Sequence, residues 1–207
     1  MEYDLIRIRI DVDYPYPSRI RSFMYTAMGL RTGKDYLKNS KIAARMINKS
    51  AKEVKAYWFF TPKTIPDQEL LSIINNTKHE VALHIVNNPV AELNLLEQST
   101  GKKINYYTIH GTARLVARVM WKRWRSKAPK IPANFPLQSF HQFPTTGVDS
   151  VCYNHPPDEA LVLIEKRLRA GDVIYFHPIW LFQRGTMNHR GPCGNVLERI
   201  LNNESGN

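Results

Sequence analysis

The chain begins with an alternation of period two. In "YDLIRIRI" (3–10) aliphatic residues alternate with polar ones, and Ile is frequent, so the pattern predicts a strand over 3–10. Ser18 is a candidate N-cap for a helix over 18–30, and Leu37, Ile42, Ala43, Met46 and Ile47 recur at helical spacing within 34–51. "VKAYWFF" (54–60), ended by Thr61 and Pro62, reads as a second strand, and "DQELLSIINN" (67–76) as an amphipathic helix opened by Asp67. "HEVALHIV" (79–86) is a third strand. It is followed by a helix over 89–101 that has proline in its first turn and glycine at its end. "INYYTIHG" (104–111) is a fourth strand, with a helix over 113–126 behind it. Residues 129–157 show no period and read as a long irregular stretch; a helix over 158–171, a strand over 172–177 and a helix at about 195–203 complete the chain.

Strand and helix alternate about five times, the pattern of parallel strands joined by helical crossovers, which predicts an α/β fold. The 207 residues suit one domain, 1–207, without internal repeat or low-complexity linker. With no long apolar run and no signal-peptide pattern in "MEYDLIRIRID", the expectation is a soluble, cytoplasmic protein with no membrane partner. Cys152 and Cys193 lack a C-x-x-C spacing and are expected to be free thiols.

In parallel α/β folds the ligand site lies at the carboxyl ends of the strands, in an open sheet or a barrel alike. The polar residues there are Asp11 and Asp13, then Thr61, then His84 with Asn87 and Asn88, then His110, and last His177. Three of the seven histidines and two carboxylates thus gather at one rim, a donor set that suits a divalent metal such as zinc. A lone Asp before Pro15 would serve a turn, but Asp11 and Asp13 share a strand face, and two close carboxylates need a cation or a proton between them. His79 falls at the opposite rim and reads as structural or solvent-facing, while His141, His155 and His189 lie in loops.

Charge adds a second theme. The chain has 29 Lys+Arg against 18 Asp+Glu, and the densest basic run, "WKRWRSK" (121–127), interleaves Trp121 and Trp124 with Lys122, Arg123 and Arg125. Such a run fits a nucleic-acid or acidic-glycan surface, but the three-residue spacing of the tryptophans is what a buried helical stripe needs, and the packing helix is the preferred reading.

Four stretches together resemble the polysaccharide deacetylase family (carbohydrate esterase family 4). They are "IRIDVDYP" with its D-x-D pair, "VKAYWFFTP", "KHEVALHIVNNP" and "GDVIYFHPIW", in family order over residues 3–180. The resemblance implies an irregular (β/α) barrel of mostly parallel strands with a divalent metal, zinc by preference, at the strand ends. It implies Asp11 as catalytic base, Asp13 and His84 as metal ligands, and His177 as the histidine that protonates the leaving group. The family's second metal histidine is replaced by Asn88, and its Arg-Pro-Pro-Tyr-like motif by "TIHGTAR", which puts His110 in a position to supply the missing imidazole. The metal set is then Asp13, His84 and His110 with Asn88 nearby, and Tyr14, Tyr16, Trp180 and Phe182 are aromatics against which a sugar could stack. The implied reaction is metal-dependent hydrolysis of a non-peptide C–N bond in an N-acetylated sugar or related amide, with a glycan or small molecule as substrate. The alternative is an inactive barrel that binds glycan or nucleic acid through its basic surface.

Overall fold

The computed structural model describes residues 5–13, 35–110, 129–182 and 193–202. The predicted helices over 18–30 and 113–126, and with them Tyr14, Tyr16, Trp121, Trp124 and His189, lie outside the described residues.

The strands are β1 (Ile6–Val12), β2 (Val54–Phe60), β3 (His79–Ile85), β4 (Tyr106–Ile109), β5 (Gln138–Ser139), β6 (Thr145–Gly147) and β7 (Val173–Phe176). The helices are α1 (Asp35–Lys49), α2 (Gln68–Ile73), α3 (Pro89–Thr100), α4 (Val148–Asn154), α5 (Pro157–Arg169) and α6 (Gly194–Asn202). Among the described residues seven strands pair in parallel in the order β5-β4-β3-β2-β1-β7-β6, so β1 sits between β2 and β7. The α/β barrel of parallel strands with helical crossovers is therefore observed, as a curled sheet whose outermost strands are β5 and β6.

Chain reach explains the curl. Laid flat, seven strands would hold the outermost two about 29 Å apart at about 4.8 Å per step. Only residues 140–144 connect β5 to β6, and a fully extended chain covers about 20 Å over that length. Part of the connection is spent on a 3-10 turn, Phe140–Gln142, so the sheet has to bend until its two edges approach.

The bend gives the sheet an outer and an inner face. On β1, Ile6, Ile8, Ile10 and Val12 are fully buried and join the core formed with Ala43, Ala44 and Ile47 of α1 and Leu197 and Ile200 of α6. Each such aliphatic contributes about 1.5–3 kcal/mol through burial. Arg9 and Asp11 occupy the inner face, which the other parity of the strand presents. On β2 the same alternation sends Trp58 and Phe60 outward and Tyr57 and Phe59 inward. The Phe140 ring fills the interior, with centroids 4.9 Å from Tyr57, 5.1 Å from Phe59, 5.7 Å from Tyr106 and 4.8 Å from Phe143.

Two expectations need correction. The first strand runs over 6–12 rather than 3–10, which places Asp11 inside it and Asp13 directly after it. Residues 129–157, expected to be irregular, contain β5, the 3-10 turn, β6 and α4. Strands of two and three residues are too short to carry a period. Elsewhere the local chemistry sets the ends as read: Asp67 accepts the Leu70 N–H at the start of α2, and Gly101 adopts φ 65° to close α3.

Candidate metal centre

The site lies at the carboxyl ends of β1, β3, β4 and β7. β1 delivers Asp11 and Asp13, two positions apart and on the inner face; β3 delivers His84, β4 delivers His110 and β7 delivers His177. Asp11, His84 and His177 are buried, Asp13 is mostly buried, and His110 is partly open.

Three donor atoms converge. His84 Nε2 lies 3.1 Å from Asp13 Oδ1, His110 Nδ1 lies 3.3 Å from the same oxygen, and the two nitrogens are 3.1 Å apart. Asp13 Oδ1 is buried and receives no aligned hydrogen bond from the described residues. A carboxylate oxygen and two ring nitrogens in that arrangement need a proton or a cation among them. The triangle also matches one face of a tetrahedron built on metal–ligand distances of about 2.0–2.1 Å, whose edge is about 3.3 Å. The donor set therefore fits a zinc-type ion.

Neighbouring groups orient these donors. His84 and Thr108 face each other across β3 and β4, with His84 Nδ1 2.6 Å from Thr108 Oγ1. With the hydroxyl accepting from Nδ1–H, a neutral His84 ring would offer its Nε2 lone pair to a cation held together with Asp13 and His110. The loop after β3 is fixed by Glu92 of α3, whose buried carboxylate accepts the backbone N–H groups of Val86, Asn87 and Asn88 at 2.8, 2.8 and 3.1 Å. Burial alone would raise the Asp13 pKa, but His84 and His110 outweigh it and hold the carboxyl well below its usual range.

Asp11 stands in a different environment. Arg9, two residues earlier on the same face, grips it at two points, Nε to Oδ1 at 2.8 Å and Nη2 to Oδ2 at 2.6 Å. The guanidinium itself lies 5.5 Å from the ring centroids of Phe59 and Tyr175. Burial pushes the Asp11 pKa up; Arg9, His84 and His177 together bring it below the usual carboxylate value. Asp11 is thus held ionised at the floor of the site.

His177 is oriented from behind. Its Nδ1 lies 2.7 Å from Oδ2 of Asp149, which is buried in α4, while its Nε2 points into the site, 3.6 Å from Asp13 Oδ2 and 3.9 Å from Asp11 Oδ2.

The remaining candidates are placed as follows. Asn88 is exposed, and its side-chain oxygen accepts the Ala91 N–H as the N-cap of α3, a commitment that competes with metal ligation. Thr61 is buried in the turn after β2 and bonded to Thr64. Trp180 is half-buried in a 3-10 turn directly after His177, with its indole nitrogen buried and without a hydrogen-bond partner among the described residues, and Phe182 is exposed. His79 is structural as expected, accepting Trp58 Nε1–H at 2.9 Å; His155 pairs with Glu159; Cys152 and Cys193 are free. Sequence reading missed Arg9, Thr108, Glu92 and Asp149. Arg9 and Thr108 each lie two residues before a site residue, on the same strand face, and that spacing was the available signal.

No protein-family model matches the chain, and no curated protein matches it. Among solved structures it is similar to a CE4 family pseudoenzyme from Bacillus anthracis, at 15% identity and a TM-score of 0.45, over 99% of this chain and 63% of that one. It is also similar to a mutant of that pseudoenzyme with restored enzymatic activity, at 14% identity and a TM-score of 0.46, over 96% of this chain and 62% of that one. The chain thus spans less than two thirds of the length of these structures. At such distance the chemistry of the site has to be read from its own atoms.

Proposed function

We propose that Asp13, His84 and His110 hold a divalent metal, zinc by their chemistry, and that the barrel is a metal-dependent hydrolase of non-peptide C–N bonds. An N-acetylated sugar or a related amide is the favoured substrate. The observation that carries this reading is the convergence of two imidazole nitrogens within 3.3 Å on a buried carboxylate oxygen to which neither makes an aligned hydrogen bond.

A metal so held supplies Lewis-acid polarisation of the acyl oxygen and a more acidic bound water. The chain's own groups divide the proton work. Asp11, kept ionised by Arg9, is the acceptor for the proton of the attacking water. His177, with Nδ1 turned to Asp149 and Nε2 toward the site, delivers a proton to the leaving amine. Asp149 and Arg9 are positioning residues in this scheme: each fixes one partner of the acid–base pair. Trp180, and Tyr14 by its sequence neighbourhood, are the aromatics proposed to face the sugar.

The test is metal content of unchelated protein together with deacetylation of N-acetylated oligosaccharides. One equivalent of divalent ion, lost in Asp13→Ala and His84→Ala along with activity, is the expected result. A protein that carries no metal and takes up none at millimolar concentration overturns the proposal.

A second reading, a barrel that retains an anionic polymer without hydrolysing it, is favoured by where the charge lies in the sequence. Residues 14–34, 111–128 and 183–192 contain four, six and two Lys+Arg and no Asp or Glu, while the other residues balance 17 basic against 18 acidic. These segments follow Asp13, His110 and Phe182, all three at the carboxyl-end rim. An acidic glycan or a nucleic acid is the matching partner, and its affinity should fall steeply with salt and with alanine at Lys122, Arg123 and Arg125.

A further inference from the structure

His110 reaches the donor triangle from the last position of a short strand, and the way that strand end is held points to a residue the proposed chemistry does not use. β4 is secured on one side by β3, where the His110 N–H bonds to Ile85 O at 2.8 Å. On the other side its pairing with β5 covers only Tyr106 and Tyr107 and then stops. Two residues remain before His110. The N–H of Ile109, one position before the imidazole, is taken by a side chain: it donates to His141 Nε2 at 3.1 Å.

We infer that His141 is a positioning residue for His110, standing in for the strand that β5 does not provide and fixing the imidazole at the distance the donor triangle needs. This inference rests on the metal-binding reading above. It follows from the local geometry. His141 belongs to the 3-10 turn Phe140–Gln142, which is anchored by the Phe140 ring inside the barrel, so the imidazole is carried on a rigid support. To accept the Ile109 N–H, Nε2 must hold a lone pair, which assigns the remaining proton to Nδ1. A strand end held on both sides keeps the peptide plane at 109–110 fixed, and with it the direction of the His110 side chain. His141 supplies the hold on the side of that plane away from β3.

The experiment compares wild type, His141→Ala and His141→Gln as full chains, first stripped of metal. Glutamine keeps an acceptor at about the reach of Nε2; alanine removes it. Zinc affinity is measured by chelator competition and cobalt binding by its visible absorption, since loss of an outer partner of a metal ligand typically costs about 10–100-fold in affinity. The expected result is at least a tenfold weaker zinc Kd and an altered cobalt spectrum for His141→Ala, with His141→Gln within about threefold of wild type. An alanine variant with unchanged affinity and spectrum overturns the inference. A second readout needs no metal: in the stripped protein, amide exchange at Ile109 should quicken and the His110 ring resonances should move in His141→Ala only. If wild type binds no metal, the metal-binding reading falls, and this second readout alone decides whether His141 holds the strand end; unchanged exchange and resonances then overturn that as well.

Discussion

Asp149 holds His177 at two points: its Oδ2 lies 2.7 Å from the ring Nδ1 and accepts the backbone N–H of the same residue at 3.3 Å. One carboxylate therefore fixes both the position of the strand end and the tautomer of the ring it carries. With Nδ1 committed, Nε2 is the atom left to exchange a proton inside the site.

Asp149→Asn should keep the fold, because the amide oxygen can still accept one N–H, but it can present its NH2 to Nδ1 and select the wrong tautomer. Activity on an N-acetylated oligosaccharide is expected to fall about 10²–10⁴-fold. The melting temperature and metal stoichiometry should change little. An activity within threefold of wild type removes Asp149 from its positioning role.

The Arg9–Asp11 pair lends itself to a two-step test. A buried ion pair seldom stabilises a fold relative to apolar residues, whereas removing one partner costs about 3–5 kcal/mol. Arg9→Met should therefore destabilise the protein by about that amount in urea denaturation, and Arg9→Met with Asp11→Leu should recover most of it while abolishing hydrolysis. Recovery of stability without activity identifies the pair as serving chemistry. If Arg9→Met is neutral for stability, the pair is not the tight contact described.

Metal retention should separate the donors from their neighbour. Asp13→Ala, His84→Ala and His110→Ala are each expected to lose the bound ion. Asn88→Ala is expected to keep it and to lose about 1 kcal/mol through the missing helix cap. Elemental analysis of the four variants after dialysis gives the answer, and loss of metal in the Asn88 variant would return that residue to the ligand set.

His79 predicts a pH effect away from the site. Burial, assisted by the charges of Lys78, Lys102 and Lys55, lowers its pKa to about 4, and Trp58 Nε1–H needs the neutral ring as acceptor. The unfolded chain titrates near 6.5, so above that pH both states are neutral and nothing is lost. Between pH 6.5 and 4 only the unfolded state takes up the proton, and stability should fall with a slope of up to about 1.4 kcal/mol per unit, about 3 kcal/mol in all. Denaturation midpoints from pH 7 to 4.5 should show this decline, and His79→Gln should flatten it.

What the sequence allowed one to read, and what it hid, follows the length scale of the signal. The run at 54–60 is β2 from end to end, because five of its seven positions are β-branched or aromatic and leave little else for the backbone to do. The rim residues were legible for a related reason: a strand of known direction delivers its last inner-face side chain to one end, and Asp13, His84, His110 and His177 all arrive there. Asp149 was not legible. It sits in a seven-residue helix inside a stretch without period, and its partner is 28 positions away, a contact that no local pattern encodes. Asn88 had a local competitor in plain view, since Asn followed by Pro at a helix start is a cap.

The sheet order also carries a temporal consequence. Asp13, His84 and His110 come from β1, β3 and β4, which with β2 form an unbroken run of neighbours made from the first 110 residues. His177 and Asp149 come from the last third of the chain and join only when β7 docks on the free side of β1. A chain emerging from the ribosome can thus bring Asp11, Asp13, His84 and His110 to one rim before His177 and Asp149 have been made. If the proposed ion is captured at that stage, it waits for His177 and Asp149 to arrive.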